Sequence, residues 1–138
     1  MKLKIVLDEG AFMPVRAHVG DAGLDIFAAH GGVIPPYGSA AFGTGLHVAV
    51  PENYVGFLKS RSGTMFSNSV VTDGTIDHDY TGEIKVKLFN NCGARFVVER
   101  GQKIAQLVLL PIITPELEVV EELSATERGD NGFGSTGK

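Results

Sequence analysis

The chain has 138 residues, 43% of them hydrophobic and 20% charged, the balance of one globular domain able to enclose a core. Its net charge is −4, it has no basic run longer than two residues, and no apolar run approaches the ~20 residues of a membrane span. Neither nucleic acid nor a membrane is therefore an expected partner.

The N-terminal MKLKIVLDEG meets an acid too early for a signal peptide. Its Leu3, Ile5 and Leu7 alternate with Lys2 and Lys4 and predict a half-buried strand. The segments 46–50, 53–59 and 95–99 read the same way, and in 82–90 Ile84, Val86 and Leu88 share one face while Lys85 and Lys87 share the other. Ile104–Ile113 is almost continuously apolar and reads as a fully buried strand. Between these runs lie turn sequences such as HGG, PPYG, PEN, DG and NCG. Two stretches could be helical. One is a turn or two after Arg61-Ser62-Gly63. The other is 115–125, PELEVVEELSA, which fits strand and helix about equally and is read as strand. Short strands at regular intervals predict a single-domain all-β barrel or jelly-roll-like sandwich. The only cysteine, Cys92, excludes an internal disulfide framework and points to an intracellular protein.

Five segments break the strand pattern. Asp21-Ala22-Gly23-Leu24-Asp25 sets two carboxylates around a glycine, and Ser60-Arg61-Ser62-Gly63 sets a guanidinium and hydroxyls at a helix start, where free amides favour an anion. Asp73 to Glu83 is a hairpin-like segment crowded with acids, and Gly101 to Gln106 leads the apolar strand and carries an amide inward. The last segment, RGDNGFGSTGK, contains G-x-x-x-x-G-K from Gly132 to Lys138, the opening of a P-loop without the hydroxyl and helix that should follow it. Singly, each has an ordinary explanation: a turn acid, a helix cap, solvated loop charge, a bonded core amide. His18, His30, His47 and His78 lack zinc-ligand spacing and read as solvated or structural.

Together and in this order, the five segments resemble the five motifs of the trimeric deoxyuridine triphosphate nucleotidohydrolases (dUTPases). The first is Ala22-Gly23-Leu24-Asp25, with Leu24 where the family commonly has an aromatic residue, and the second is Arg61-Ser62-Gly63. The third is Gly74-Thr75-Ile76-Asp77 with Tyr80 and Gly82-Glu83, and the fourth runs from Gly101 to Val108. The fifth is Arg128-Gly129 with Gly132 to Gly137. The resemblance implies an all-β core over residues 1–127. It also implies a glycine-rich arm over 128–138 that completes a site on neighbouring subunits of a homotrimer, which makes the P-loop reading a decoy.

The implied reaction is hydrolysis of dUTP to dUMP and pyrophosphate, keeping uracil out of DNA and supplying dUMP for thymidylate synthesis. Asp77 would be the general base, and Gln106 would hold the water or the α-phosphate. Arg61, Ser62 and Gly63 would contact the α- and β-phosphates. Tyr80 would pack on the deoxyribose and refuse a 2′-hydroxyl, while Val71, Gly74, Thr75 and Ile76 would present the uracil edge with backbone groups. Lys85 would stand near base or sugar. Arg128, Gly134, Ser135 and Thr136 would close on the γ-phosphate, and Phe133 would stack on uracil. Magnesium would be held mainly by the triphosphate, with Asp25 reaching it through water at most. A cytoplasmic location is expected, host cytoplasm if the source is viral. The alternatives are a related dCTP deaminase and a dUTP-responsive regulatory protein with a protein partner.

Overall fold

Eleven short strands and one helix follow one another in a computed structural model that describes residues 1–131. The strands are β1 (Lys4–Leu7), β2 (Gly23–Phe27), β3 (Gly32–Ile34), β4 (Ser39–Gly43), β5 (Leu46–Ala49) and β6 (Tyr54–Lys59). Helix α1 (Ser62–Asn68) precedes β7 (Val70–Val71), β8 (Asp73–Ile76), β9 (Lys85–Asn90), β10 (Phe96–Val98) and β11 (Lys103–Pro111). The architecture is the expected all-β jelly-roll-like barrel. Every strand pairing is antiparallel.

A four-stranded sheet in the order β2-β11-β6-β8 faces a three-stranded sheet, β4-β9-β7, with β1-β5 and β3-β10 as two-stranded ribbons. The two larger sheets enclose the core. Ile26, Leu58, Ile76, Ile104 and Leu107 come from one side and Phe42, Val70, Val86 and Leu88 from the other, all buried. Strand β9 shows the period-two pattern plainly, Val86, Leu88 and Asn90 buried and Lys85, Lys87 and Phe89 exposed. Asn90 is satisfied inside: its amide donates to the carbonyls of Pro35 (3.1 Å) and Ala94 (2.8 Å), and its oxygen accepts from the Cys92 amide (3.0 Å).

Three local expectations need correction. The acid-rich segment is not a hairpin, because β8 pairs with β6 in one sheet and β9 with β4 and β7 in another. Its two arms thus cross between sheets, and the loop joining them spans the barrel's edge. The strand ending in Ile113 is buried only over its first half; Leu110 and Ile112 are exposed, since no second layer covers that end. The segment 115–125 forms neither strand nor helix, and Leu117, Val119 and Leu123 are almost fully exposed. Alternating apolar residues specify a strand only where a sheet edge and an apolar surface receive them.

Candidate functional site

The first group of site residues sits at one end of the four-stranded sheet. Asp25 on β2 lies opposite Gln106 on β11, and Gln106 lies opposite Lys59 on β6, two residues before Arg61. The buried Asp25 carboxylate accepts from Arg61 Nε at 3.2 Å and Lys103 Nζ at 2.8 Å, with Gln106 Nε2 at 3.4 Å. Burial alone would raise the Asp25 pKa. The hydrogen bonds from Lys103 and Gln106 and the charges of Arg61 and Lys103 outweigh it and hold the carboxyl below its ordinary 3.8. Gly23 makes this packing possible, because a Cβ there would stand 3.1 Å from Cβ of Gln106.

Arg61 is also the N-cap of α1, in extended geometry, and among the described residues no side chain caps the helix. No described residue occupies the first-turn amides, which can serve a ligand, with the exposed Ser62 hydroxyl beside them. No described residue lies within 4 Å of the position a Gly63 side chain would take. Guanidinium, hydroxyl and amides at one corner suit phosphate oxygens.

The second group lies at the opposite end of the same sheet. Thr75, Ile76, Asp77, Tyr80, Glu83 and Lys85 line a cavity of about 280 Å³. A tight turn sets Asp77 beside Tyr80, whose amide donates to the Asp77 carbonyl at 3.2 Å. The Tyr80 hydroxyl donates to the Glu83 carbonyl at 2.8 Å and folds the ring over Gly82. A Cβ on Gly82 would sit 2.6 Å from that hydroxyl, so a side chain there would displace the ring. Val71 on β7 and Gly74 on β8 lie back from the cavity, paired with Phe89 and Leu58.

The two groups do not meet within one chain. Gln106, Lys59 and Asp73 form one row across the sheet, whereas Ile76 pairs with Gly56, three residues further along β6, and Asp77 follows it. At about 3.4 Å per residue and about 4.8 Å between strands, Asp77 and Gln106 stand on the order of 15 Å apart. Arg128 is exposed, its Nε donating to the Asn131 carbonyl at 2.8 Å. Phe133, Gly134, Ser135 and Thr136 lie outside the described residues.

Among the described residues no cluster of three His, Cys, Asp or Glu side chains could hold a metal ion. Asp25 is a lone carboxylate already facing two cations, so these residues do not fit a magnesium ion held by the protein. Sequence reasoning left Lys103 and His47 without roles. Lys103 was legible as the lone cation of the fourth segment, but no sequence signal marked His47.

An antiparallel barrel with a cationic corner at one sheet end and a carboxylate-bearing aromatic cavity at the other is equipped to bind a polyphosphate and activate water. The dUTPase family model matches residues 9–137. The deoxyuridine 5'-triphosphate nucleotidohydrolase of Clostridium tetani is 43% identical over 100% of this chain and 97% of its own length. That of Paramecium bursaria Chlorella virus 1 is 42% identical over 95% and 94%. The Staphylococcus bacteriophage 80alpha dUTPase, solved with dUpNHpp, superposes with a TM-score of 0.94 at 36% identity over 99% of both chains. This chain belongs to the dUTPase family.

Proposed function

We propose that this chain is a dUTP diphosphatase, hydrolysing dUTP to dUMP and pyrophosphate. One observation carries the assignment of roles: a single turn presents the Asp77 carboxylate and the Tyr80 ring to the same cavity, in a member of the dUTPase family. Asp77 takes a proton from water, the resulting hydroxide attacks the α-phosphorus, and the bond to the bridging oxygen breaks to release pyrophosphate. Tyr80 covers the sugar and leaves no room for a 2′-hydroxyl, while Thr75 and Ile76 present backbone groups to the base, with Gly74 and Val71 set behind them in the sheets. Lys85 contributes positive charge at the cavity rim.

Arg61, Ser62 and Gly63 bind the α- and β-phosphates, and Gln106 orients water or the α-phosphate. Since these groups stand on the order of 15 Å from Asp77 within one chain, the complete site takes its halves from different copies, and we infer a homotrimer. Arg128 and the arm beyond it close a neighbour's site. A magnesium ion would be held by the triphosphate rather than by these residues and would supply charge neutralisation there; Asp25 serves instead to fix Arg61 and Gln106. Related phage proteins include a phi11 dUTPase described as coordinating a structural Mg(II) ion. The unpaired Cys92 and the nucleotide substrate support a cytoplasmic location, host cytoplasm for a viral source.

The test is pyrophosphate release from dUTP, dCTP, dTTP and UTP, with magnesium and with chelator, for the natural chain and Asp77→Asn. Release from dUTP alone, magnesium-dependent and lowered by several orders of magnitude in Asp77→Asn, is the expected result. Equal turnover by the variant would remove Asp77 from the role of base, and ammonia release from dCTP would favour a deaminase.

A further inference from the structure

The loop bearing Asp77 and Tyr80 has a fastening that the sequence did not suggest. His47 on β5, opposite Val6 of β1, projects toward this loop with a side chain 28% exposed. Its Nδ1 lies 2.9 Å from the Thr81 carbonyl oxygen, and its Nε2 lies 3.3 Å from Asp8 Oδ1. Both neighbours only accept. A neutral imidazole has one N–H and can serve one of them, leaving a bare lone pair facing the other. The imidazolium donates to both.

The remaining fastenings lie further along the loop: the Gly45 amide donates to Glu83 Oε1 (3.0 Å), the Ile84 amide to the Leu46 carbonyl (2.8 Å) and the Thr44 hydroxyl to the Ile84 carbonyl (2.6 Å). Among the described residues, His47 alone joins residues 77–82 to the barrel by a hydrogen bond. It does so one peptide from Tyr80. The charged groups around the ring are Asp8 after β1, Glu83 on the loop and Lys4 on the same face of β1, with Lys85 3.9 Å from Glu83. The bond to the Thr81 carbonyl is the largest influence and raises the His47 pKa; burial, the next largest, opposes it, and Asp8 and Glu83 add smaller upward contributions that leave the pKa above 6.5.

We propose that His47 is a positioning residue for dUTP hydrolysis, its imidazolium latching the Asp77–Glu83 loop to the barrel through the Thr81 carbonyl and the Asp8 carboxylate. The proposal rests on Asp77 and Tyr80 having the roles given above. Because the folded-state pKa is raised, the latch is complete below pH 6.5 and is lost as pH rises through the raised value. Above it, Asp8 competes with Thr81 for the single remaining proton, and the charged acceptor is the stronger.

Two readouts test this on the full-length chain. In NMR titrations the His47 ring should show a midpoint above 6.5 that falls in Asp8→Asn, and the Gly82 amide, which shares a peptide group with the Thr81 carbonyl, should shift with the same midpoint. In kinetics, KM for dUTP should rise about 2- to 10-fold across that midpoint, the order one net hydrogen bond supports. The rise should move to lower pH in Asp8→Asn and vanish in His47→Gln, whose amide can donate to Thr81 without titrating. A ring midpoint at or below 6.5, a Gly82 amide that ignores it, or a KM rise that survives in His47→Gln would overturn the latch. Absence of dUTP turnover at every pH would instead sink the functional assignment, while the two NMR midpoints would still decide whether the latch exists.

Discussion

The Asp25 carboxylate and the Arg61 guanidinium are joined at 3.2 Å across β2 and the start of α1, and Lys103 closes on the other carboxylate oxygen at 2.8 Å. One buried acid thus aims an arginine whose remaining N–H groups, bonded to no described residue, can reach phosphate oxygens. Asp25→Asn removes the charge but keeps the shape. It should lower stability by about 1–3 kcal/mol, the order for losing a charged partner from a buried hydrogen-bonded site. It should also raise KM for dUTP about tenfold.

The same carboxylate has a lowered pKa in the folded state, so its contribution is present above pH 3.8 and is lost as pH falls through the folded value. Urea unfolding of the natural chain from about pH 6 to about pH 2 should therefore show a stability loss that Asp25→Asn lacks. Parallel losses in the two proteins would mean that other acids, such as Asp73 paired with Lys59, govern acid unfolding.

Gly82 and Tyr80 carry the discrimination between sugars. A Cβ at 82 would lie 2.6 Å from the Tyr80 hydroxyl, so Gly82→Ala must push the ring out of place. The expected outcome is a loss of preference for dUTP over UTP of about tenfold or more, read as the ratio of kcat/KM values. Tyr80→Phe removes the bond to the Glu83 carbonyl while leaving the ring, and should keep most of the preference. If both variants lose it equally, the hydroxyl rather than the ring surface excludes the 2′-hydroxyl.

These two residues also show how much the sequence revealed. Period-two alternation located β1, β5, β9 and β10, where a face toward the core alternates with one toward solvent, and also β6, an inner strand of the four-stranded sheet on which only Lys59 is exposed. β2, β3 and β4 were not singled out: glycines, alanines and an acid interrupt their alternation. Asp77 and Tyr80 were legible as one segment, Lys85 was read on the polar face of the strand that follows, and the three line one cavity. The contacts of Lys103 with Asp25 and of His47 with Thr81 join residues 78 and 34 positions apart, and only the sheet topology brings them together. The exposed 115–125 segment shows the converse: its alternation is real, but no sheet edge among the described residues receives it.

The separation of Asp77 from Gln106 and Arg61 yields the sharpest prediction. If each site draws the Asp77 cavity from one copy and the cationic corner from another, Asp77→Asn and Arg61→Ala chains are each nearly inactive alone. Unfolded and refolded together in equal amounts, they should regain activity, because some interfaces pair an intact cavity with an intact corner. Random assembly into a closed ring makes roughly a quarter of the sites whole. Pyrophosphate release from the mixture, set against the natural chain at equal concentration, measures that fraction directly. A mixture no more active than its two parents would mean that Asp77 and Arg61 serve the same site from the same chain. The loop carrying Asp77 would then have to swing on the order of 15 Å along the sheet, against the fastenings of Glu83, Ile84 and His47 that hold it where it is.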